Sequence, residues 1–210
     1  MSLFVTFEGP DGSGKSTQIT LLAERLRALG HDVCLTREPG GTAIGDQIRQ
    51  VVHDLHNTAM QPRAELLLYS ASRAQLVGEV IRPQLERGGV VLCDRYADST
   101  LAYQGYGHGL DLGRLRAITE FATGGLAPDL TLLLDMEVES GLRRRKTGGE
   151  WNRLDAYTLA FHQRVRQGYL ALAAAEPKRW IVLEAETEME ALGERIWAAV
   201  QRELEVRGER

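Results

Sequence analysis

The sequence contains no apolar run long enough to cross a bilayer, no surplus of basic residues and only two cysteines. Each absence excludes something. Twenty-five Lys and Arg stand against 29 Asp and Glu, a formal net charge of -4. A general nucleic-acid coat needs a basic excess on one face, so neither nucleic acid nor membrane is expected as a partner. Cys34 and Cys93 both fall inside apolar, strand-like runs. Two buried reduced thiols are expected there, with no disulfide and no metal pair. Met1 leads straight into the first apolar segment without a basic region, apolar core and cleavage site. No secretory signal fits, and a cytoplasmic location is expected. Internal repeats, low-complexity tracts and interdomain linkers are also missing. The 210 residues, 43% of them hydrophobic, are therefore expected to form one domain, 1–210, with mobile insertions.

What is present begins at residue 9. Gly9-Pro10-Asp11-Gly12-Ser13-Gly14-Lys15-Ser16 has the phosphate-loop spacing of a glycine, four residues, Gly-Lys and a hydroxyl residue. The strand-like Leu3–Phe7 precedes it, and Ile19, Leu22, Leu26 and Leu29 follow at helical spacing up to Gly30. In such a context the glycines let the backbone of residues 9–17, Gly9 and Pro10 through Thr17, wrap oxyanions at a helix N-terminus with its N–H groups turned inward. Lys15 would reach the outer phosphates and Ser16 a magnesium ion. A dinucleotide fingerprint is excluded, because Thr17 stands where its third glycine belongs.

Further apolar runs at Asp32–Leu35, Val90–Cys93, Leu130–Leu134 and Trp180–Leu183 alternate with helical patterns. Those patterns cover Thr42–His53, Ala64–Arg87 with an interruption near Pro83, Leu112–Thr123, Asp155–Ala175 and about Ala191–Val206. The alternation predicts an α/β fold: a five-stranded parallel sheet with helices on both faces and the active site at the carboxyl ends of the strands. In the fourth helix Tyr157, Phe161, Val165, Tyr169 and Leu172 recur every three or four residues and read as a core-facing stripe.

Four more constellations bear on that functional end. Asp94-Arg95-Tyr96 closes the third apolar run. Asp94 is placed to act as a magnesium carboxylate, with Asp135 as its competitor, and Arg95 can grip a phosphoryl group bidentately. The run Arg143-Arg144-Arg145-Lys146 before Gly148-Gly149, with Arg153 beyond, fits a lid at about 143–153 that brings positive charge over phosphates. Arg37 in Thr36-Arg37-Glu38-Pro39-Gly40-Gly41-Thr42 could bind an acceptor phosphate. Tyr69 and Arg73 lie four apart on one helical face, where a ring could stack on a base and a guanidinium bond its edge.

With these motifs in this order, and with Ser99-Thr100 and Ala102-Tyr103-Gln104-Gly105 following Asp94-Arg95-Tyr96, the chain resembles bacterial thymidylate kinases over nearly its whole length. The resemblance implies a P-loop nucleoside monophosphate kinase fold, transfer of the γ-phosphoryl of ATP to dTMP with Mg²⁺ to give dTDP on the way to dTTP, and a homodimer. It implies that Asp11 lies near the dTMP 3′-hydroxyl and phosphate, and that Arg95 and Arg37 hold the acceptor phosphate. Tyr69 would stack on thymine, Arg73 would bond its edge, and Ser99, Thr100 and Gln104 would line the same pocket. Tyr103 would pack under the sugar and disfavour a 2′-hydroxyl. The chain departs from some of these kinases in carrying no basic residue within the phosphate loop, where position 13 is Ser. Beside Lys15 and Arg95, the catalytic cation must come from the lid, with Arg143, Arg144, Lys146 and Arg153 as candidates. A nucleotide-dependent switch is the rival class, but the guanine-reading Asn-Lys-x-Asp motif is absent.

Overall fold

A computed structural model of the chain describes residues 2–148 and 151–208. Strands β1 (Leu3–Glu8), β2 (Val33–Arg37), β3 (Val90–Asp94), β4 (Leu130–Asp135) and β5 (Trp180–Glu184) form one sheet in the order β2-β3-β1-β4-β5. Every pairing is parallel. All five expected strands are there, and each runs one or two residues further at its carboxyl end. The added residues include Glu8, Arg37, Asp94, Asp135 and Glu184, all charged. Apolar patterning stops where burial stops, whereas the hydrogen-bond ladder continues and carries these side chains into the functional end.

The sheet order makes β1 the switch point. Connections from β1 lead to β2 and β3 on one side, and β4 lies on the other, so a crevice opens at the carboxyl end of β1. Period-two alternation assigns the faces of this strand. Leu3, Val5 and Phe7 pack with Ile19, Leu22 and Leu26 of α1 (Lys15–Ala28) and with Leu192, Ile196 and Val200 of α9 (Met189–Gly208). Phe4 faces the other layer with Val91, Cys93 and Tyr96. Burying each Val, Leu, Ile or Phe side chain in these layers contributes about 1.5–3 kcal/mol. Glu8 shares the parity of Phe4 and therefore points into the layer that holds α3 (Pro62–Leu76), α5 (Ala97–Thr100) and α8 (Leu159–Ala175).

Three boundaries differ from expectation for physical reasons. The helix expected over Ala64–Arg87 begins at Pro62, widens into a π-helical turn at Val77–Ile81 and resumes as α4 (Arg82–Glu86). Pro83 has no N–H to give, and the wide turn, closed by Arg82 N–H on the Val77 carbonyl, absorbs the loss upstream of it. The helix expected from Asp155 starts at Leu159, because the Thr158 hydroxyl caps it by accepting the Phe161 N–H. Likewise Thr42 is the cap of α2 (Ala43–His53), accepting from Gly45 N–H at 2.9 Å. α6 (Leu112–Thr123) has the expected bounds. Among the described residues no helix is long and apolar enough to cross a membrane. Cys34 and Cys93 are both free thiols; Cys93 is buried and Cys34 half-buried.

Candidate active site

A cavity of about 530 Å³ opens at the switch point, between the phosphate loop, the ends of β2 and β3, α3 and α7 (Val138–Thr147). It brings together Asp11, Gly12, Gly14, Lys15, Ser16 and Thr17 with Arg37, Tyr69, Arg73, Asp94, Arg95, Ser99, Thr100, Tyr103 and Gln104. The lid contributes Arg144, and the cavity also takes in Arg145. Gly9, Pro10 and Ser13 do not line the cavity but accept hydrogen bonds from the Lys15 ammonium.

Gly12 shows why the loop needs glycine. Its φ is +81°, and a Cβ there would collide with the backbone of Gly141 on α7. Gly141 in turn sits against the Asp11 backbone. The helix that carries the lid cations is thus packed directly on the phosphate loop. Lys15 is 6% exposed, and its ammonium donates to the carbonyls of Gly9 at 3.1 Å and Pro10 at 2.8 Å. Burial, aided by the nearby Arg95 charge, lowers its pKa to about 8 against the pull of Asp94, Asp11 and Glu8. The Ser16 hydroxyl lies 2.9 Å from Asp94 Oδ2, so the two oxygens meet at one point on the cavity wall. Hydroxyl plus carboxylate is the sparse donor set that magnesium takes when phosphates and water complete its octahedron. Asp135, the competitor, is held by Arg166 through two bonds of 2.8 and 2.9 Å.

Arg95 is the one non-glycine residue with positive φ, 68°, among the described residues. Such a backbone costs free energy and persists where surrounding contacts enforce it. Here Arg95 N–H binds the Phe7 carbonyl at 2.9 Å, and the guanidinium reaches Asp11 at 3.0 Å, Tyr169 at 2.9 Å and Ser99 at 3.4 Å. Tyr103 packs its ring 5.0 Å from the same guanidinium and donates its hydroxyl to Asp11. Burial alone would raise the Asp11 carboxyl, but Arg95, Lys15 and Arg145 outweigh it and hold it well below the usual range.

Arg73 is 1% exposed. Its Nε and one terminal nitrogen donate to Glu38 at 2.8 and 2.6 Å, and it also donates to the Thr100 hydroxyl and the Tyr96 carbonyl. Tyr69 lies one helical turn earlier, and burial raises its phenol above the ordinary value. Arg37 is half exposed, 3.5 Å from Asp46.

The lid residues divide. Gly141 touches the loop, and four residues on, one turn along the same helical face, comes Arg145. Arg145 donates to Asp155 at 3.2 Å. Arg143 folds back on Ser140, and Lys146 is exposed outside the cavity lining. Arg153 is not a cavity cation either: it is 6% exposed and locked in an ion pair with Glu65 behind the base pocket. Gly149 and Glu150 of the expected lid lie outside the described residues.

Glu8, Glu38, Glu65 and Arg145 are among the residues that escaped the sequence reading. Glu8 accepts from Tyr96 N–H, Ser99 and Tyr169 at 2.6 to 2.8 Å. Burial first, then the Asp98 charge, raises its carboxyl to about 7, against Arg95, Ser99 and Tyr169. Glu38 and Glu65 hold the buried arginines, and Arg145 was passed over for its neighbours. The available signals were a carboxylate ending an otherwise apolar strand, for Glu8, and helical spacing from Gly141, for Arg145.

The family model for thymidylate kinase matches residues 7–196. The chain is 61% identical to the thymidylate kinase of Roseiflexus sp. (strain RS-1) over 213 residues, covering 96% of this chain and 94% of that one. It is 58% identical to that of Deinococcus radiodurans over 198 residues, covering 94% and 96%. Its fold superposes on the crystal structure of thymidylate kinase from Ehrlichia chaffeensis with a TM-score of 0.79, at 31% identity and over 95% and 98% of the two chains.

Proposed function

This chain belongs to the thymidylate kinase family, and from that premise we propose how its residues divide the work of phosphorylating dTMP. The activity is that of a nucleoside monophosphate kinase: a phosphoryl group passes from a nucleotide donor to dTMP, giving dTDP. We propose ATP as the donor, bound by residues 9–17, and Mg²⁺ held by Ser16 and Asp94. The ion, when bound, neutralises charge on the transferring phosphates.

No protein nucleophile is needed, because the acceptor phosphate oxygen is already anionic and can attack in line. Lys15 would leave the loop carbonyls for the donor phosphates. Arg95 would bind the acceptor phosphate, with Arg37 at the rim, while Asp11 and Tyr103 would set the sugar. Tyr69 would stack on the base, whose edge Arg73 and Gln104 would read, with Ser99 and Thr100 bracing the two arginines. Arg144 and Arg145 would supply the lid charge. The observation that carries this reading is the meeting, in one cavity, of the Ser16–Asp94 pair and the Arg95–Asp11 pair, 2.9 and 3.0 Å apart internally. One would place charge on a donor, the other on an acceptor.

The whole chain would act as one cytoplasmic domain and pair as a homodimer through the outer faces of the adjoining α2, α3 and α6, where Val51, Leu67 and Phe121 are exposed. Coupled ADP release measured with dTMP, dUMP, UMP, GMP and AMP tests the reading. dTMP is expected to give the highest kcat/KM; equal turnover of a purine monophosphate overturns it.

A further inference from the structure

Behind the base pocket, Glu65 of α3 is completely buried. Oε1 accepts from Gln104 Nε2 at 2.7 Å and from His108 Nε2 at 3.2 Å. Oε2 accepts from Arg153 and, at 3.2 Å, from the Tyr157 hydroxyl. Burial alone would raise this carboxyl. The bonds from His108, Arg153 and Gln104 outweigh it and bring the pKa to about 2. Glu65 is therefore ionised at every working pH and can only accept hydrogen bonds.

That fact constrains its neighbour. A glutamine amide has a donating and an accepting end that can exchange by a half-turn. Gln104 is 2% exposed and lines the cavity. Facing an acceptor-only carboxylate, it must turn its NH₂ toward Glu65. Its Oε1 then lies at the opposite end of the amide and takes no hydrogen bond from any described residue. Arg73 supplies the complement. Four of its five N–H groups are committed, to Glu38 twice, to the Tyr96 carbonyl and to Thr100. One donor on the nitrogen that holds Thr100 is left. The pocket thus offers one acceptor and one donor, the complement of a base edge where C=O adjoins ring N–H. Thymine and uracil carry that edge; cytosine carries its reverse.

We propose that Glu65 is a specificity-determining positioning residue, which selects the keto pyrimidine by holding the Gln104 amide in one of its two orientations. The inference deepens the acceptor site proposed above and rests on it. Glu65 touches no substrate; it acts through Gln104. Without an acceptor-only partner, Gln104 is free to turn and satisfy the amino edge of cytosine, and the mismatch that rejects dCMP disappears.

The test compares kcat/KM for dTMP and dCMP, with ATP and Mg²⁺, in the wild type and in Glu65→Gln, whose amide can offer either end to Gln104. The dTMP-to-dCMP ratio is expected to fall about ten-fold or more in Glu65→Gln, with dCMP turnover rising as dTMP turnover falls. A ratio equal to that of the wild type, whatever the loss in rate, overturns the inference and reduces Glu65 to a structural anchor. Glu65→Gln also leaves Arg153 buried without its anion, which can prevent folding. A second variant removes that obstacle: Arg153→Met with Glu65→Gln, which takes out both charges together. The double variant should lose the wild-type ratio; a ratio equal to that of the wild type overturns the inference. A wild type that does not prefer dTMP to dCMP overturns the reading of the acceptor site itself. A preference that survives in the variants carrying Glu65→Gln overturns the role of Glu65 alone.

Discussion

On the donor side of the cavity, Lys15 donates to the loop's own carbonyls and the lid cations lie along an outer helix with Arg144 exposed. On the acceptor side, Arg73 is held by Glu38, Thr100 and Tyr96 with one N–H left over, and Arg95 is held by Asp11, Tyr169 and Ser99. The two halves use the same residue types for different ends. Cations already paired with carboxylates add little net field, but they hold fixed donors at fixed points, which is what distinguishing one nucleotide from another requires. Cations resting on neutral carbonyls or facing solvent, Lys15 and Arg144, keep their charge available for phosphates, and Arg145 would exchange Asp155 for one. On the proposed assignment, selection would belong to the acceptor half and charge stabilisation to the donor half.

The comparison breaks most visibly at Lys15. Lys15→Met should lower kcat by about 10³-fold, because the charge it brings to the donor phosphates has no substitute within the loop. The KM for dTMP should stay within about three-fold. Initial rates at varied dTMP and saturating ATP check this. A dTMP KM that climbs in step with the loss of kcat would show that Lys15, through its proximity to Asp11, also builds the acceptor half.

A smaller effect sharpens the boundary within the lid. Arg145→Ala should lower kcat about ten-fold, since this residue follows the loop-contacting Gly141 by one turn and lines the cavity. Lys146→Ala, one residue further round the helix, should change it by less than about two-fold. Equal losses would mean that the lid acts by its summed charge and not through a placed guanidinium.

These two residues also show what was legible in the chain. The sheet could be read from apolar runs and the phosphate loop from its spacing, because both are local: a strand needs a few neighbouring apolar residues, and an anion cradle needs its glycines in sequence. The DRY segment and the Tyr69/Arg73 spacing likewise pointed to residues that do line the cavity. What could not be read is pairing across the chain. Arg153 looked like a lid cation because it follows the basic run, yet its partner, Glu65, is 88 residues away. Asp135 stood as the competitor of Asp94 because both end apolar strands. Only the 31-residue return of Arg166 takes Asp135 out of the site. Charge type and local spacing nominate residues, and long-range ion pairs decide between them.

The smallest expected effect concerns stability, and it asks whether the acceptor half is held by charge before substrate arrives. Glu8 lies beneath Arg95, sharing Ser99 and Tyr169 with it, and its carboxyl ionises at about 7 in the fold against an ordinary 4.5. A folded-state value above the unfolded one means that the folded protein keeps a proton which the unfolded chain has released. The contribution of Glu8 to stability is therefore full below about pH 4.5 and is lost as pH rises through about 7. Glu8→Gln cannot ionise and should remove that slope. Urea unfolding of both proteins at pH 5, 6, 7 and 8 is expected to show the wild type losing on the order of 1–3 kcal/mol relative to the variant across the range. If the difference between them stays constant with pH, Glu8 is already ionised throughout. The Arg95 network would then rest on a buried carboxylate that is ionised throughout this range.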